Sequence, residues 1–191
     1  MPFDMKSARH WAQELQKEAI LPGMRVIDAT MGNGHDTLYL AQKVGEKGRV
    51  WAFDVQQAAL DATRRRLEDN GCADRVRLIL DSHANMAAYV DEPPSAILFN
   101  LGWLPTGDHS VTTRVDSTLS AVSAAMELVR PGGAVSVCIY PGHEEGTREK
   151  LALKEMLAGA DIHRFNVLWC EFANQREDSP KLALIQKELN G

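Results

Sequence analysis

Long apolar runs are missing from this sequence, and none approaches the roughly 18 to 20 residues needed to cross a bilayer. The opening MPFDMKSARHW also lacks the apolar centre and cleavage pattern of a secretory signal, so a cytoplasmic protein is expected. Cysteine is scarce. Cys72, Cys138 and Cys170 stand far apart, form no CxxC pair and have no partnering histidine spacing, which argues against a disulfide framework and against zinc; no metal is expected. Repeats, low-complexity tracts and Pro/Gly/Ser-rich linkers are absent too. One domain over residues 1–191 is therefore expected, with an N-terminal helix and turn at 1–23 and the core at 24–191. Positive charge is in deficit: 21 Lys and Arg against 26 Asp and Glu leave a net −5. That balance speaks against capture of nucleic acid by bulk electrostatics, though not against a local patch. The one basic run, Arg64, Arg65 and Arg66 with Arg75 and Arg77 nearby, is followed by Glu68 and Asp69 and reads as a solvated helix face.

What the sequence does contain is an alternation of strand-like and helix-like patterns. Ala8, Trp11, Ala12, Leu15 and Ala19 recur at helical spacing over residues 4–20, and LPG at 21–23 stops that helix. Strands are expected at MRVIDA (24–29), RVWAFDV (49–55), RVRLIL (75–80), AILFNL (96–101) and AVSVCIY (134–140). Helices are expected at 35–44, 57–70, 113–129 and 144–157. Such alternation predicts a parallel sheet covered on both faces, the α/β doubly wound arrangement. Two more strand-like runs follow, at 161–170 and 181–188. The polar joint between them, EFANQREDSP, has no helical pattern and is too short for an ordinary parallel crossover, so the last strand should run antiparallel. About seven strands with an antiparallel last strand resembles the Rossmann-like fold of class I S-adenosylmethionine-dependent methyltransferases.

In such sheets ligands sit beyond the carboxyl ends of the strands. Here those ends are polar: Asp28, Asp54, Asp81-Ser82-His83, Asn100, and Tyr140 before PGHEEG. Any one could be a helix cap, but five convergent ends point to a site. In DATMGNGHDT, Gly32 and Gly34 let the loop bend and turn backbone N–H groups toward a ligand where the next helix starts. Asp54, 20 residues after Gly34 and at the next strand's end, suits a ribose diol. Thr37 occupies the place of the third glycine of the dinucleotide fingerprint, which favours S-adenosyl-L-methionine over NAD. The cofactor-binding set expected is Asp28, Thr30, Gly32, Asn33, Gly34, Asp36, Thr37, Asp54, Gln56, Asp81, Ser82, His83 and Asn100. Asp81 to His83 would border the adenine, and Asp28 would face the cofactor's amino group, directly or through water.

NLGWLPTGDH carries the chemistry. It resembles the [Asn/Asp/Ser]-Pro-Pro-[Tyr/Phe/Trp] tetrapeptide of methyltransferases that modify amino nitrogens, matching at Asn100 and Trp103 with Leu101 and Gly102 in place of the prolines. An amine nucleophile must aim its lone pair at the methyl carbon, so its hydrogens need acceptors. The Asn100 side-chain oxygen and the Leu101 carbonyl could supply them, and Trp103 could stack on a base. The protonated amine cannot react; with a Lys-like pKa, neutralising it near pH 7 costs about 4 to 5 kcal/mol. Asn100 accepts a hydrogen bond without a full negative charge that would hold that proton. Catalytic candidates are thus Asn100, Leu101 and Trp103. Substrate-binding candidates are Trp103, Pro105, Asp108, His109, Tyr140 and His143, with Asp108, His109 and His143 also able to accept the proton; His35 is expected to have no catalytic part.

VIDATMGNGHDT, FNLGWLP, TTRVDST and YPGHEEG, taken together, resemble a bacterial family labelled putative rRNA methylases, from about Val26 to Gln186. The family's characterised activity is methylation of the 5-aminomethyl group on the wobble uridine of tRNA. The resemblance implies a class I fold, S-adenosylmethionine as donor, and conversion of 5-aminomethyl-(2-thio)uridine in the anticodon loop to its methylaminomethyl form. The acidic balance and small size suggest a local RNA-binding patch completed by a second subunit of a homodimer. The residues alone leave three other functions open: an rRNA methyltransferase, a methyltransferase for small amines, and a non-catalytic S-adenosylmethionine-binding module.

Overall fold

A computed structural model of the protein describes residues 7–102 and 113–190. Strands β1 (Arg25–Asp28), β2 (Arg49–Asp54), β3 (Val76–Leu80), β4 (Ala96–Asn100), β5 (Ala134–Ile139), β6 (Phe165–Cys170) and β7 (Lys181–Lys187) form one sheet in the order β3-β2-β1-β4-β5-β7-β6. The first five pair in parallel, whereas β7 runs antiparallel to both β5 and β6. The physical reason is the one in the sequence: residues 171–180 form turns rather than a helix, so the chain can only return beside β6 in the opposite direction.

Helices α1 (Ala8–Leu15), α2 (His35–Val44), α3 (Gln57–Asp69), α4 (Val115–Leu128) and α5 (Glu144–Ala158) cover the sheet. Alternate residues of each strand serve opposite faces. Val26, Val50 and Leu98 pack with Leu40, Ala41 and Val44 of α2. Ile27, Phe53, Ile97 and Phe99 pack on the other face with Ala121, Val122 and Ala125 of α4 and Leu153 and Leu157 of α5. The link from β3 to β4 carries only a 3-10 turn, His83–Ala88, whose Met86 is fully buried in the α4 side of the core. Among the described residues no helix is long and apolar enough to cross a membrane.

The first helix is shorter than the periodicity over 4–20 predicts. Ser7 caps it by accepting from the His10 N–H at 3.3 Å, it ends at Leu15, and a 3-10 turn, Lys17–Ala19, follows. It is also built into the sheet rather than set before it. Ala8 and Ala12 pack on Cys138 of β5 and Leu182 of β7, and the buried Gln16 donates to the Ala134 carbonyl at 3.0 Å. Trp11 meets Phe172, just beyond β6, edge to face at 4.7 Å. This packing places the start of α1 over the carboxyl end of the sheet.

Candidate functional site

β1 ends at Asp28, and the turn after it is shaped by two glycines with left-handed backbone, Gly32 at φ 49° and Gly34 at φ 77°. Gly34 also has no room for a side chain: a Cβ there would lie 2.8 Å from Thr63 Oγ1 and 2.9 Å from its Cα. Arg66 of α3 braces the turn from outside, its Nε donating to the Asn33 carbonyl at 2.7 Å. Beneath the turn, the Asp28 carboxylate accepts from the Thr37 hydroxyl at 2.6 Å and the Thr30 N–H at 3.2 Å. It is fully buried, and burial together with the nearby Asp36 pushes its pKa up to about 7.

At the end of β2, Asp54 accepts from the N–H groups of Gly32 and Gln56, at 3.1 and 3.0 Å. An ionised carboxylate offers about four lone-pair sites, so acceptor capacity remains for a ligand's hydroxyl groups. Asp81 at the end of β3 is tied by Ser82 N–H, Asn85 and the Tyr89 hydroxyl, which hold its pKa below the usual carboxylate range. His83 lies edge to face against Phe99, and burial lowers its pKa, so the ring is neutral near pH 7. These ends border a cavity of about 850 Å³, a size ordinary for a cofactor with its substrate. Its wall mixes apolar Met31, Phe53, Val55 and Leu101 with polar Thr30, Asp36, Asp54, Ser82 and Asn100.

β4 delivers Asn100 to the same cavity. Its backbone N–H donates to the Thr30 hydroxyl at 2.7 Å, and its side-chain nitrogen donates to Asp36 Oδ2 at 2.6 Å. A carboxylate only accepts, so the amide nitrogen must face Asp36 and the amide oxygen must face away. That oxygen is shielded from water and has no hydrogen-bond partner among the described residues. Behind Asp36 stands α1: Gln13 Nε2 donates to Oδ1 at 2.7 Å, and Arg9 Nε lies 3.9 Å from it. Beyond Asn100, the Gly102 N–H donates to the Thr113 hydroxyl, which donates onward to the buried Glu149 of α5.

The sequence matches the family described as Putative rRNA methylase over residues 50–186. A tRNA (mnm(5)s(2)U34)-methyltransferase of Arabidopsis thaliana chloroplasts is 35% identical over 98% of this chain and 72% of that protein. The chain belongs to the putative rRNA methylase family. Two crystal structures extend the likeness. A protein of Clostridium thermocellum described as a putative rRNA-methylase superimposes with a TM-score of 0.93 at 44% identity, covering 96% of this chain and 99% of the other. A protein of Streptococcus mutans described as a putative methyltransferase, solved in complex with SAH, gives 0.86 at 34% identity over 96% and 99%. With this family, the class I fold and the built cavity, the chain is an S-adenosylmethionine-dependent methyltransferase.

Set on that family fold, most residues singled out from the sequence come together. Thr30, Gly32, Asn33, Asp36, Asp54, Gln56, Asp81, Ser82, His83, Asn100, Leu101, Tyr140 and His143 all line the cavity. Three do not. Asp28, expected to face the cofactor's amino group, is sealed beneath the turn with its oxygens given to Thr37 and Thr30; Thr37 is likewise fully buried, and Gly34 faces Thr63. They shape the loop rather than line the cavity, because the strand end dips below the turn that the glycines create. His143 lines the cavity but also caps α5, its Nδ1 accepting from the Gly146 N–H at 3.1 Å. Trp103, Pro105, Asp108 and His109 lie outside the described residues. Sequence reasoning missed Ser7, which caps α1, Arg9 of α1, Ser117 of α4 and Asp178 before β7, all on the cavity wall. No local spacing marks them, since each arrives from an element distant in sequence. The Arg64–Arg66 run, read as a solvated face, includes Arg66, which grips the glycine turn and lies 3.3 Å from His35.

Two outcomes follow from the turn and its buried acid. Gly34→Ala should destabilise the protein by about 1 to 3 kcal/mol from left-handed strain alone, with crowding on Thr63 added. Thermal unfolding would show it as a fall of roughly 2 to 4 °C per kcal/mol. Asp28 binds its proton more tightly folded than unfolded, so its contribution to stability is full below pH about 4 and is lost as pH rises to about 7. Asp28→Asn should flatten that part of the stability profile and exceed wild type at pH 8, on the order of 1 kcal/mol or more. Urea midpoints of the ligand-free proteins at pH 4, 6 and 8 measure it, and parallel profiles would refute the assignment.

Proposed function

We propose that the chain methylates the amino nitrogen of a 5-aminomethyl-(2-thio)uridine at the wobble position of tRNA. The observation that carries this reading is Asn100: a neutral amide at the cavity, its nitrogen committed to Asp36 and its oxygen left without a donor among the described residues. A buried acceptor without a partner costs about 1 to 3 kcal/mol, which a donating N–H recovers on binding. An amine has the hydrogens to give. The relative that is a tRNA (mnm(5)s(2)U34)-methyltransferase supports the same acceptor.

The residues fit S-adenosylmethionine. Asp54 would take the ribose hydroxyl groups, Ser82 and His83 would border the adenine, and the Thr30 to Asn33 backbone would run along the remainder. When bound, the cofactor supplies an electrophilic methyl carbon on a sulfonium sulfur. The protein's share is orientation, which can recover roughly 7 to 11 kcal/mol of barrier. Asn100 Oδ1 and the Leu101 carbonyl accept the amine's hydrogens and so turn its lone pair into the cavity. Being uncharged, Asn100 does this without stabilising the unreactive ammonium form. Met31, Phe53 and Leu101 supply apolar wall on which water gains little.

Incubating hypomodified tRNA with the protein and isotope-labelled methyl donor should yield labelled methylaminomethyl-uridine on nucleoside mass spectrometry. Label in ribosomal RNA or in free amines instead would replace this reading, and no label in any pool would point to a binding module. Asn100→Ala should lower kcat about 100-fold or more while leaving SAH affinity by calorimetry within a fewfold. Loss of both together would assign Asn100 to folding.

A further inference from the structure

We infer that Asp36 is a positioning residue for methyl transfer, which holds the Asn100 amide in the one orientation that leaves its buried oxygen to accept from the substrate amine, and that α1 completes this device through Gln13 and Arg9. The inference rests on the proposed role of Asn100 and extends it. A side-chain amide has two nearly isosteric orientations, and only its hydrogen-bond partners choose between them. On the oxygen's side nothing among the described residues chooses, since the buried Asn100 Oδ1 has no partner. The choice is made at the nitrogen, by Asp36, which when ionised can accept but not donate, at 2.6 Å. Asp36 in turn has little freedom. It is 6% exposed, and its other oxygen is engaged by Gln13 at 2.7 Å with Arg9 at 3.9 Å. Both belong to a helix 23 or more residues earlier in the chain, which the core packing of Ala8 and Ala12 fixes over this edge of the sheet. Orientation therefore passes from α1 to Asp36 to Asn100, and the first two never need to touch the reacting atoms.

The nearly isosteric change Asp36→Asn tests this. Its amide must present hydrogens to either Gln13 or Asn100, so one of those two has to turn and offer an oxygen. Where Asn100 turns, the acceptor's partner is consumed. On the SAH complex, the Asn100 side-chain NH2 resonances, assigned by their loss in Asn100→Ala, should shift in Asp36→Asn and, to a smaller extent, in Gln13→Leu, which touches no cavity wall. With tRNA, Asp36→Asn should lower kcat about tenfold or more with KM for the methyl donor within about threefold, and it should cost less than about twofold when added to Asn100→Ala. Unmoved Asn100 resonances, or a kcat loss that is fully additive with Asn100→Ala, would overturn the inference. So would a large loss of SAH affinity with the resonances in place, which would make Asp36 a cofactor ligand. Shifted resonances in Asp36→Asn, together with a wild-type protein that methylates no aminomethyl-uridine, would sink the substrate reading and leave the positioning of the Asn100 amide standing.

Discussion

A carboxylate can only accept hydrogen bonds, and the site is organised around that one-sidedness. Three acids meet at the carboxyl edge of the sheet, and each fixes a different piece of backbone or side chain by demanding donors. Asp28 collects the Thr30 N–H and Thr37 hydroxyl and so seats the glycine turn on the start of α2. Asp54 collects the Gly32 and Gln56 N–H groups and ties that turn to the end of β2. Asp36 collects Gln13 and Asn100 and ties α2 to α1 and β4. Burial raises the pKa of all three, and the negative charge of its neighbours raises that of Asp28 further. Such crowding is unfavourable in an empty protein and suits a cavity whose ligand carries positive charge.

That same negative field conflicts with the proposed chemistry at one point. An anion beside the acceptor amine would hold it protonated, without the lone pair the reaction needs. Asp36 and Asn100 both line the cavity, and the group that the proposal assigns to the amine is the neutral Asn100 amide. The charge acts on orientation through the hydrogen bond to the amide nitrogen, and the acceptor assigned to the amine is the uncharged, buried oxygen. Thr113 and Glu149 brace the far side, joining the backbone beyond Asn100 to α5. The peptide that carries the acceptor groups is thus anchored at Thr30, at Cys138 through the Leu101 N–H, and at Thr113.

Much of the fold was legible because it follows from short-range periodicity. Strand and helix patterns alternate from β1 to α5 except between β3 and β4, where a 3-10 turn stands in place of a helix, and the antiparallel β7 is implied by a polar joint too short to hold a crossover helix. Legibility failed where a residue's role depends on depth below a turn. Asp28 and Thr37 sit in the same motif as Gly32 and Asn33, yet the left-handed glycines lift the loop so that the first two are sealed and the second two line the cavity. It failed again for residues whose neighbours come from afar. Arg66 looks like one of three solvated arginines, and only the packing of α3 beside the turn aims it at the Asn33 carbonyl.

The sequence by itself determined the layered α/β architecture, the polar strand ends, the glycine turn facing an acidic partner on the next strand, and the amide-bearing peptide after β4. Each of these is written within a few residues of contiguous chain, where backbone sterics and hydrophobic spacing decide. The tertiary structure alone decided which of those polar groups reach the cavity, and it alone brought α1 to the site. It also decided that Asn100 spends its nitrogen and keeps its oxygen. The reason is that hydrogen-bond direction is a property of pairs: Asp36 and Asn100 are 64 residues apart, and nothing in either segment states that they meet.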